Sequence, residues 1–285
     1  MVKALAQRVG IWHNDSKEGT LQVARRLISI LEGAGARAVV ADRLAAALGM
    51  GHLAGSFEGC AFLCVLGGDG TLLTAVDTAL AYDIPLMGIN MGRVGYLTEM
   101  PPSEMEQGVL RALRGEGFLD RRMLLEATTS NGQRALALND VAFNRAERAA
   151  GVLPIEFSAG GQMVDRIAGD GLVVASATGS TAYSLSAGGP LVAPGLDCIL
   201  LTPICAHTLH VRPMVVSAGE TVTVRVLDEA ENARVVADGC KPLTLPANDP
   251  VVTIRKARDS VAFLRLEARN FFDLMREKLI GWVHS

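Results

Sequence analysis

Apolar positions set two rhythms along the chain. Arg8 to Trp12 is a short apolar run with the length of a strand. Leu21, Ala24, Leu27, Ile28 and Leu31 then recur at helical spacing, and the stripe stops at Gly33 and Gly35. Arg37 to Ala41 reads as a second strand. Cys60 to Leu66 is a continuous apolar run bounded by glycines, the pattern of a strand buried on both faces of a parallel sheet. Leu72, Leu73, Val76, Ala79 and Leu80 restore the helical period with Thr71 as the expected N-cap, and Pro85 to Asn90 is a further strand. Strands and helices alternating in this way predict an α/β domain, doubly wound around a mostly parallel sheet.

From Pro101 and Pro102 the rhythm changes. A helical stretch runs to about Arg114, after which short strands alternate with turns such as Ser130-Asn131-Gly132 and Ala159-Gly160-Gly161. Arg212 to Val226, Ala233 to Ala237 and Val251 to Leu266 continue this mainly β pattern, with turns at Ala218-Gly219 and from Asp228 to Asn232. Asn270 to Trp282 regains helical spacing through Phe271, Leu274, Met275 and Lys278. The expected division is therefore residues 1–100 as the α/β domain and 101–266 as the β domain, with a last helix in 267–285.

Composition narrows the function classes. With 49% hydrophobic and 20% charged residues among 285, the chain can bury real cores. A net charge of −3 argues against a general nucleic-acid or anionic-membrane surface, so any phosphate site must be local. Met1 to Gly10 lacks the apolar core of a secretory signal, and no uninterrupted apolar run approaches membrane-spanning length, so a cytoplasmic protein is expected, with neither nucleic acid nor membrane as partner. The five cysteines, Cys60, Cys64, Cys198, Cys205 and Cys240, are odd in number and scattered, which suits reduced, buried thiols. Neither they nor His207 and His210 form a metal-ligand set.

Two glycine-rich stretches carry the candidate chemistry. Gly67-Gly68-Asp69-Gly70-Thr71 joins a buried strand to a helix, where helix N–H groups and side-chain-free backbone let a phosphate approach closely. Asp69 is the one carboxylate there, placed for a hydroxyl or a metal ion. An ordinary βα turn has the same pattern, and these residues alone leave both readings open. The loop Asn90 to Tyr96, which carries Arg93, follows another strand and shares that sheet edge. The second stretch, Gly169 to Pro190, feeds an apolar strand into small hydroxyl and glycine residues, many donors with little bulk, which suits a flat polar ligand such as a nucleotide. A tight, serine-rich turn in a β domain has the same pattern, and by itself the stretch leaves both readings open.

Together these stretches resemble the NAD kinase family, enzymes that use ATP to phosphorylate NAD to NADP. The resemblance rests on Gly67 to Thr71, on Gly88-Ile89-Asn90-Met91-Gly92 with Gly95-Tyr96-Leu97-Thr98, and on Asn139-Asp140. It continues through Thr178-Gly179-Ser180-Thr181-Ala182-Tyr183, Gly188-Gly189-Pro190, Thr202-Pro203-Ile204-Cys205, Arg212-Pro213 and the tail Phe271 to Trp282. It implies a sandwich-like β domain, a final helix that packs back on the first domain, and an active site in the crevice between domains. By similarity Asp69 is the catalytic carboxylate beside the 2′-hydroxyl of the adenosine ribose. Gly70, Asn139, Asp140, Asp170, Thr178, Thr181, Ala182, Tyr183 and Ser186 match positions that bind NAD, partly across a subunit boundary, which implies a homo-oligomer. Gly67, Gly68, Gly70, Thr71 and Arg93 are the expected phosphate ligands, with Mg²⁺ carried by ATP. Asn139-Asp140 departs from the usual Asn-Glu, and Ala168 replaces a large basic residue of many relatives strict for NAD, leaving use of NADH open. A diacylglycerol-type lipid kinase, which would share the first glycine turn and a β-rich second domain but not the Thr178 to Pro190 stretch, is one alternative; a non-catalytic NAD(P) sensor is the other.

Overall fold

A computed structural model describes residues 7–13, 19–92, 95–147, 149, 151–208, 210–268 and 270–280. Along the chain run β1 (Arg8–His13), α1 (Thr20–Gly33), β2 (Arg37–Val40), α2 (Asp42–Leu48), β3 (Cys60–Gly67), α3 (Asp69–Tyr82), β4 (Leu86–Asn90) and α4 (Met105–Leu113). Strands then dominate: β5 (Phe118–Thr129), β6 (Arg134–Ala137), β7 (Asp140–Arg145), β8 (Leu153–Ala159), β9 (Gln162–Gly169) and β10 (Gly171–Ser176). A 3₁₀ turn at Thr178–Thr181 and the short helix α5 (Tyr183–Ser186) interrupt them. After these come β11 (Cys198–Ile204), β12 (Met214–Ser217), β13 (Val222–Val226), β14 (Ala233–Ala237), β15 (Lys241–Leu243), β16 (Val251–Arg265) and α6 (Phe271–Ile280).

The chain divides into two units, Met1–Arg121 with Val261–Ser285, and Arg122–Ser260. The first unit thus extends beyond the prolines at 101 and 102, because α4 places Met105, Val109 and Ala112 in the same core as α1. Its return segment begins before residue 267, because Phe263 of β16 pairs in parallel with Leu86 of β4.

In the first unit the order β2-β1-β3-β4 is parallel throughout. Order reverses between β1 and β3, the switch point beside which open α/β sheets bind ligands. The apolar run of β3 is buried on both faces: Phe62, Cys64 and Leu66 join the core under α1, while Leu63 and Val65 turn to the opposite side. Helix α3 starts two residues earlier than its expected cap. Gly68 takes the N-cap position with extended backbone and no side-chain cap. Thr71, expected there, lies in the first turn with only 2% of its surface exposed, folded back over Gly67.

The second unit contains a six-stranded antiparallel sheet ordered β12-β11-β10-β7-β14-β15. A second antiparallel layer pairs β9 with β8, β8 with β13 and β13 with the first residues of β16. Phe143, Leu172, Val174 and Ile199 of the first layer and Ile155, Phe157, Val224 and Val252 of the second share one core, so the unit is a β sandwich. Strand β10 is buried on its other face too, where Val173 and Ala175 pack with Ala177, Val192, Cys198 and Leu200. That second small core fixes the glycine- and serine-rich stretch against the sheet. The thiols correct the sequence reading in part: Cys60, Cys64 and Cys198 are buried, but Cys205 and Cys240 are exposed.

Candidate active site

In the first unit the residues from Gly67 to Thr71 come together with the loop after β4. Asp69 begins α3, and its carboxylate accepts from two successive backbone amides, Tyr96 N–H to Oδ2 at 2.7 Å and Leu97 N–H to Oδ1 at 3.1 Å. A carboxylate oxygen has two lone pairs, so each keeps one for a further donor. Gly95 makes this approach possible, since a Cβ there would lie 1.9 Å from Asp69 Oδ1. The loop is braced by Gly95 N–H donating to Thr98 Oγ1 at 2.9 Å and by Asn90 Nδ2 donating to Gly92 O at 2.7 Å. Burial and the Asp69 charge both push the Tyr96 phenol up from its ordinary range.

Of the expected phosphate ligands, Gly68 and Gly70 are the open ones, half-buried and exposed respectively. The first amides of a helix lack the usual i−4 partner; here Thr71 N–H bonds back to Gly68 O at 3.0 Å, and the amides of Asp69 and Gly70 have no backbone partner among the described residues. Gly67 belongs to the sheet, its carbonyl accepting Met91 N–H at 3.1 Å. Thr71 turns its hydroxyl inward, its N–H donates to Gly68 O and its carbonyl accepts the Thr74 hydroxyl at 2.7 Å, so the structure does not present it as a phosphate ligand. Arg93 lies outside the described residues.

In the second unit Asn139, Asp140, Thr178, Thr181, Ala182, Tyr183 and Ser186 gather at one end of β7 and β10. Asn139 O accepts Ser176 N–H at 2.8 Å, and Gly179 runs so close to it that a Cβ would lie 2.0 Å from that oxygen. Ser176 Oγ in turn accepts Gly179 N–H at 3.1 Å. Thr181 Oγ1 donates to Thr178 O at 3.2 Å, Arg122 Nη1 donates to Thr178 Oγ1 at 3.4 Å, and Ala182 N–H donates to Gly179 O at 3.0 Å. Tyr183, half-exposed, donates its hydroxyl to Asn144 Oδ1 at 2.9 Å. Ser186 is exposed at the end of α5. Asp170, also exposed, sits between β9 and β10 with Arg145 Nε 3.8 Å from its carboxylate.

Sequence reading missed the partner that organises this end. Asp238, buried at the end of β14, accepts the backbone N–H groups of Leu138 at 2.8 Å, Asn139 at 2.7 Å and Asp140 at 3.3 Å. Its φ of 49° is one that aspartate tolerates better than most residues. The signal was present as Asp238-Gly239 directly after an apolar strand, but nothing in the sequence joined it to Asn139. Burial, then the neighbouring Asp238 charge, push the Asp140 carboxyl up to about 7, against the Tyr183 backbone N–H that favours its ionised form. Burial raises Asp238 as well, opposed by its three amides.

Chemically, one site offers a fixed, ionisable acceptor beside free helix amides. The other offers a glycine- and serine-rich turn beside an acid that burial pushes up to about 7. No helix among the described residues is long and apolar enough to cross a membrane.

Residues 9–116 match the model of the ATP-NAD kinase N-terminal domain, and residues 138–266 that of the ATP-NAD kinase C-terminal domain. The NAD kinase of Symbiobacterium thermophilum is 39% identical over 277 residues, 94% of this chain and 97% of that protein. The NAD kinase of Syntrophotalea carbinolica is 35% identical over 284 residues, 97% and 99% of the two chains. Among solved structures, an NAD kinase from Archaeoglobus fulgidus in complex with ATP superimposes with a TM-score of 0.75 at 29% identity, covering 95% of this chain and 99% of that one. A yeast NADH kinase complexed with NADH shares the fold, with a TM-score of 0.86 at 20% identity, covering 99% and 89%.

Proposed function

The chain belongs to the ATP-NAD kinase family and phosphorylates NAD with ATP; we propose that Asp69 is the group that receives the proton of the attacking hydroxyl. The observation that carries this is the grip of two backbone amides on Asp69. It fixes the carboxylate and leaves each oxygen a lone pair for an incoming O–H. Phosphoryl transfer has a loose transition state and asks chiefly for alignment and charge neutralisation. The 2′-hydroxyl oxygen of the adenosine ribose forms a bond to the γ-phosphorus as the bond to the leaving ADP oxygen breaks, and the hydroxyl proton passes to Asp69. Backbone N–H groups at Gly68 and Gly70 hold the transferring phosphate.

Mg²⁺ bound with ATP would supply charge neutralisation at the phosphates. The described residues contain no group of three or more His, Cys, Asp or Glu side chains that would cage a cation. Asp69, inside the Gly67–Thr71 turn, is the side chain that would hold such an ion, through water. Asn139, Asp140, Asp170, Thr178, Thr181, Ala182, Tyr183 and Ser186 hold the dinucleotide, Tyr183 offering an exposed ring for stacking. The family reading also supports a homo-oligomer and a cytoplasmic setting; light scattering on the purified protein tests the first. The second family-model match, over residues 138–266, favours NAD over a lipid alcohol as acceptor.

Purified protein is assayed with NAD, ATP and Mg²⁺, and NADP is detected with an NADP-specific dehydrogenase. The expected result is NADP formation that Asp69→Asn lowers by roughly 10²- to 10⁴-fold while NAD binding persists. Near-native turnover by the variant would exclude the proton-acceptor role. NAD binding without any NADP from the native chain would favour the sensor alternative.

A further inference from the structure

Arg265, at the end of β16, is a buried cation with only 6% of its surface exposed. Its Nη1 donates to Leu97 O at 2.8 Å and to Glu99 Oε2 at 3.1 Å, and its Nε reaches Asp120 Oδ2 at 3.4 Å. Glu99 is 4% exposed, and its other oxygen accepts Leu266 N–H at 2.9 Å. Leu97 is therefore held at both of its backbone groups. Its N–H points to Asp69 and its C=O to Arg265. The same short segment is tied to β4, with Glu99 N–H donating to Gly88 O at 2.8 Å and Asn90 N–H to Met100 O at 2.8 Å. The C-terminal helix meets it as well, where Lys278 Nζ lies 5.9 Å from the centre of the Tyr96 ring.

We propose that Arg265, with Glu99, is a positioning residue for phosphoryl transfer: it fixes the Tyr96–Leu97 backbone whose two amides aim the Asp69 carboxylate. A buried guanidinium is costly unless its donors are met, and here they are met by groups one and three residues beyond Tyr96. Guanidinium geometry matters, because one planar head serves a carbonyl and a carboxylate together; an ammonium in the same place is a point charge without that fork. Misplacing a reacting group by an ångström from a distance can cost as much as 10²-fold in rate. The inference rests on Asp69 as proton acceptor for its kinetic part, but the mechanical link from Arg265 to the two amides stands on the contacts alone.

The test compares Arg265→Lys, Arg265→Met and Glu99→Gln with the native chain and with Asp69→Asn. Expected is a fall in kcat of roughly 10- to 100-fold for Arg265→Met, with the KM values for NAD and ATP within about threefold of native, and partial recovery in Arg265→Lys. Amide hydrogen exchange followed by NMR gives a readout independent of turnover. Protection at Tyr96 and Leu97 should drop in both Arg265 variants and in Glu99→Gln, while amides in the centre of β3 stay protected. Arg265→Lys keeps charge and stem, so it serves if Arg265→Met does not fold. Native kcat in Arg265→Lys and Glu99→Gln, or loss of kcat with Tyr96 and Leu97 still protected, overturns the proposal. If Asp69→Asn proves active while protection is lost as expected, the anchor stands and the proton-acceptor reading falls.

Discussion

Asp140 carries its carboxyl one methylene closer to the backbone than the glutamate its resemblance calls for, and its surroundings give that acid an unusual charge state. Burial and Asp238 raise it from 3.8 to about 7. Between those values the folded chain holds a proton that the unfolded chain has released, so stability falls as pH rises from about 4 through about 7. Asp140→Asn has no such proton to lose. Its melting temperature should match the native one near pH 4 and exceed it by several degrees near pH 8; equal pH profiles for the two proteins would remove the buried-acid account. In the sequence Asp140 was legible as a ligand candidate, whereas Asp238 was not. They are 98 positions apart, and only the β7–β14 pairing, with Val141 opposite Ala237, brings them together. Asp69 was legible from its glycines and the loop before Thr98 from its place on the same sheet edge, but the two hydrogen bonds that join them are made by backbone amides 27 and 28 residues further on and leave no mark of their own.

Among elements, those with a full period of apolar residues declared themselves. Helix α1 and strand β3 run close to where their spacing placed them, since each buries a complete face. The start of α3 did not, because glycine caps it through backbone shape alone and leaves no side-chain mark. The four residues of α5 are too few to show a period; the stretch is ordered from beneath by β10. Strand β10 sends Leu172 and Val174 into the sandwich and Val173 and Ala175 into the small core below the glycine-rich stretch. Leu172→Ala should therefore destabilise the protein by about 2–5 kcal/mol in urea titration, as other buried leucine truncations do. A loss under about 1 kcal/mol would mean the sandwich core relaxes into the gap.

For the whole molecule, the division into units was legible only coarsely. Prolines marked a change of rhythm, yet the break falls within two continuous strands, β5 and β16, which have no punctuation of their own. The first unit is consequently discontinuous in sequence. A fragment ending at Arg121 retains Glu99 but lacks Arg265, leaving a buried carboxylate without its cation and β4 without the Phe263 pairing. Such unpaired burial typically costs about 3–5 kcal/mol, a large share of a domain's stability. The fragment should show no sharp thermal transition by circular dichroism, and linking residues 261–285 to it should restore one. A cooperative transition in the fragment alone would show that the return segment is dispensable.

The contact between Arg265 and Leu97 spans 168 positions. During synthesis at about 5–20 residues per second, Asp69 and its glycine turn leave the ribosome roughly 10 to 39 seconds before the Arg265 guanidinium. A chain terminated before β16 thus carries the Asp69 turn without the guanidinium bonded to Leu97; on the proposed roles of Asp69 and Arg265, competence for phosphoryl transfer follows only after Arg265 has been made.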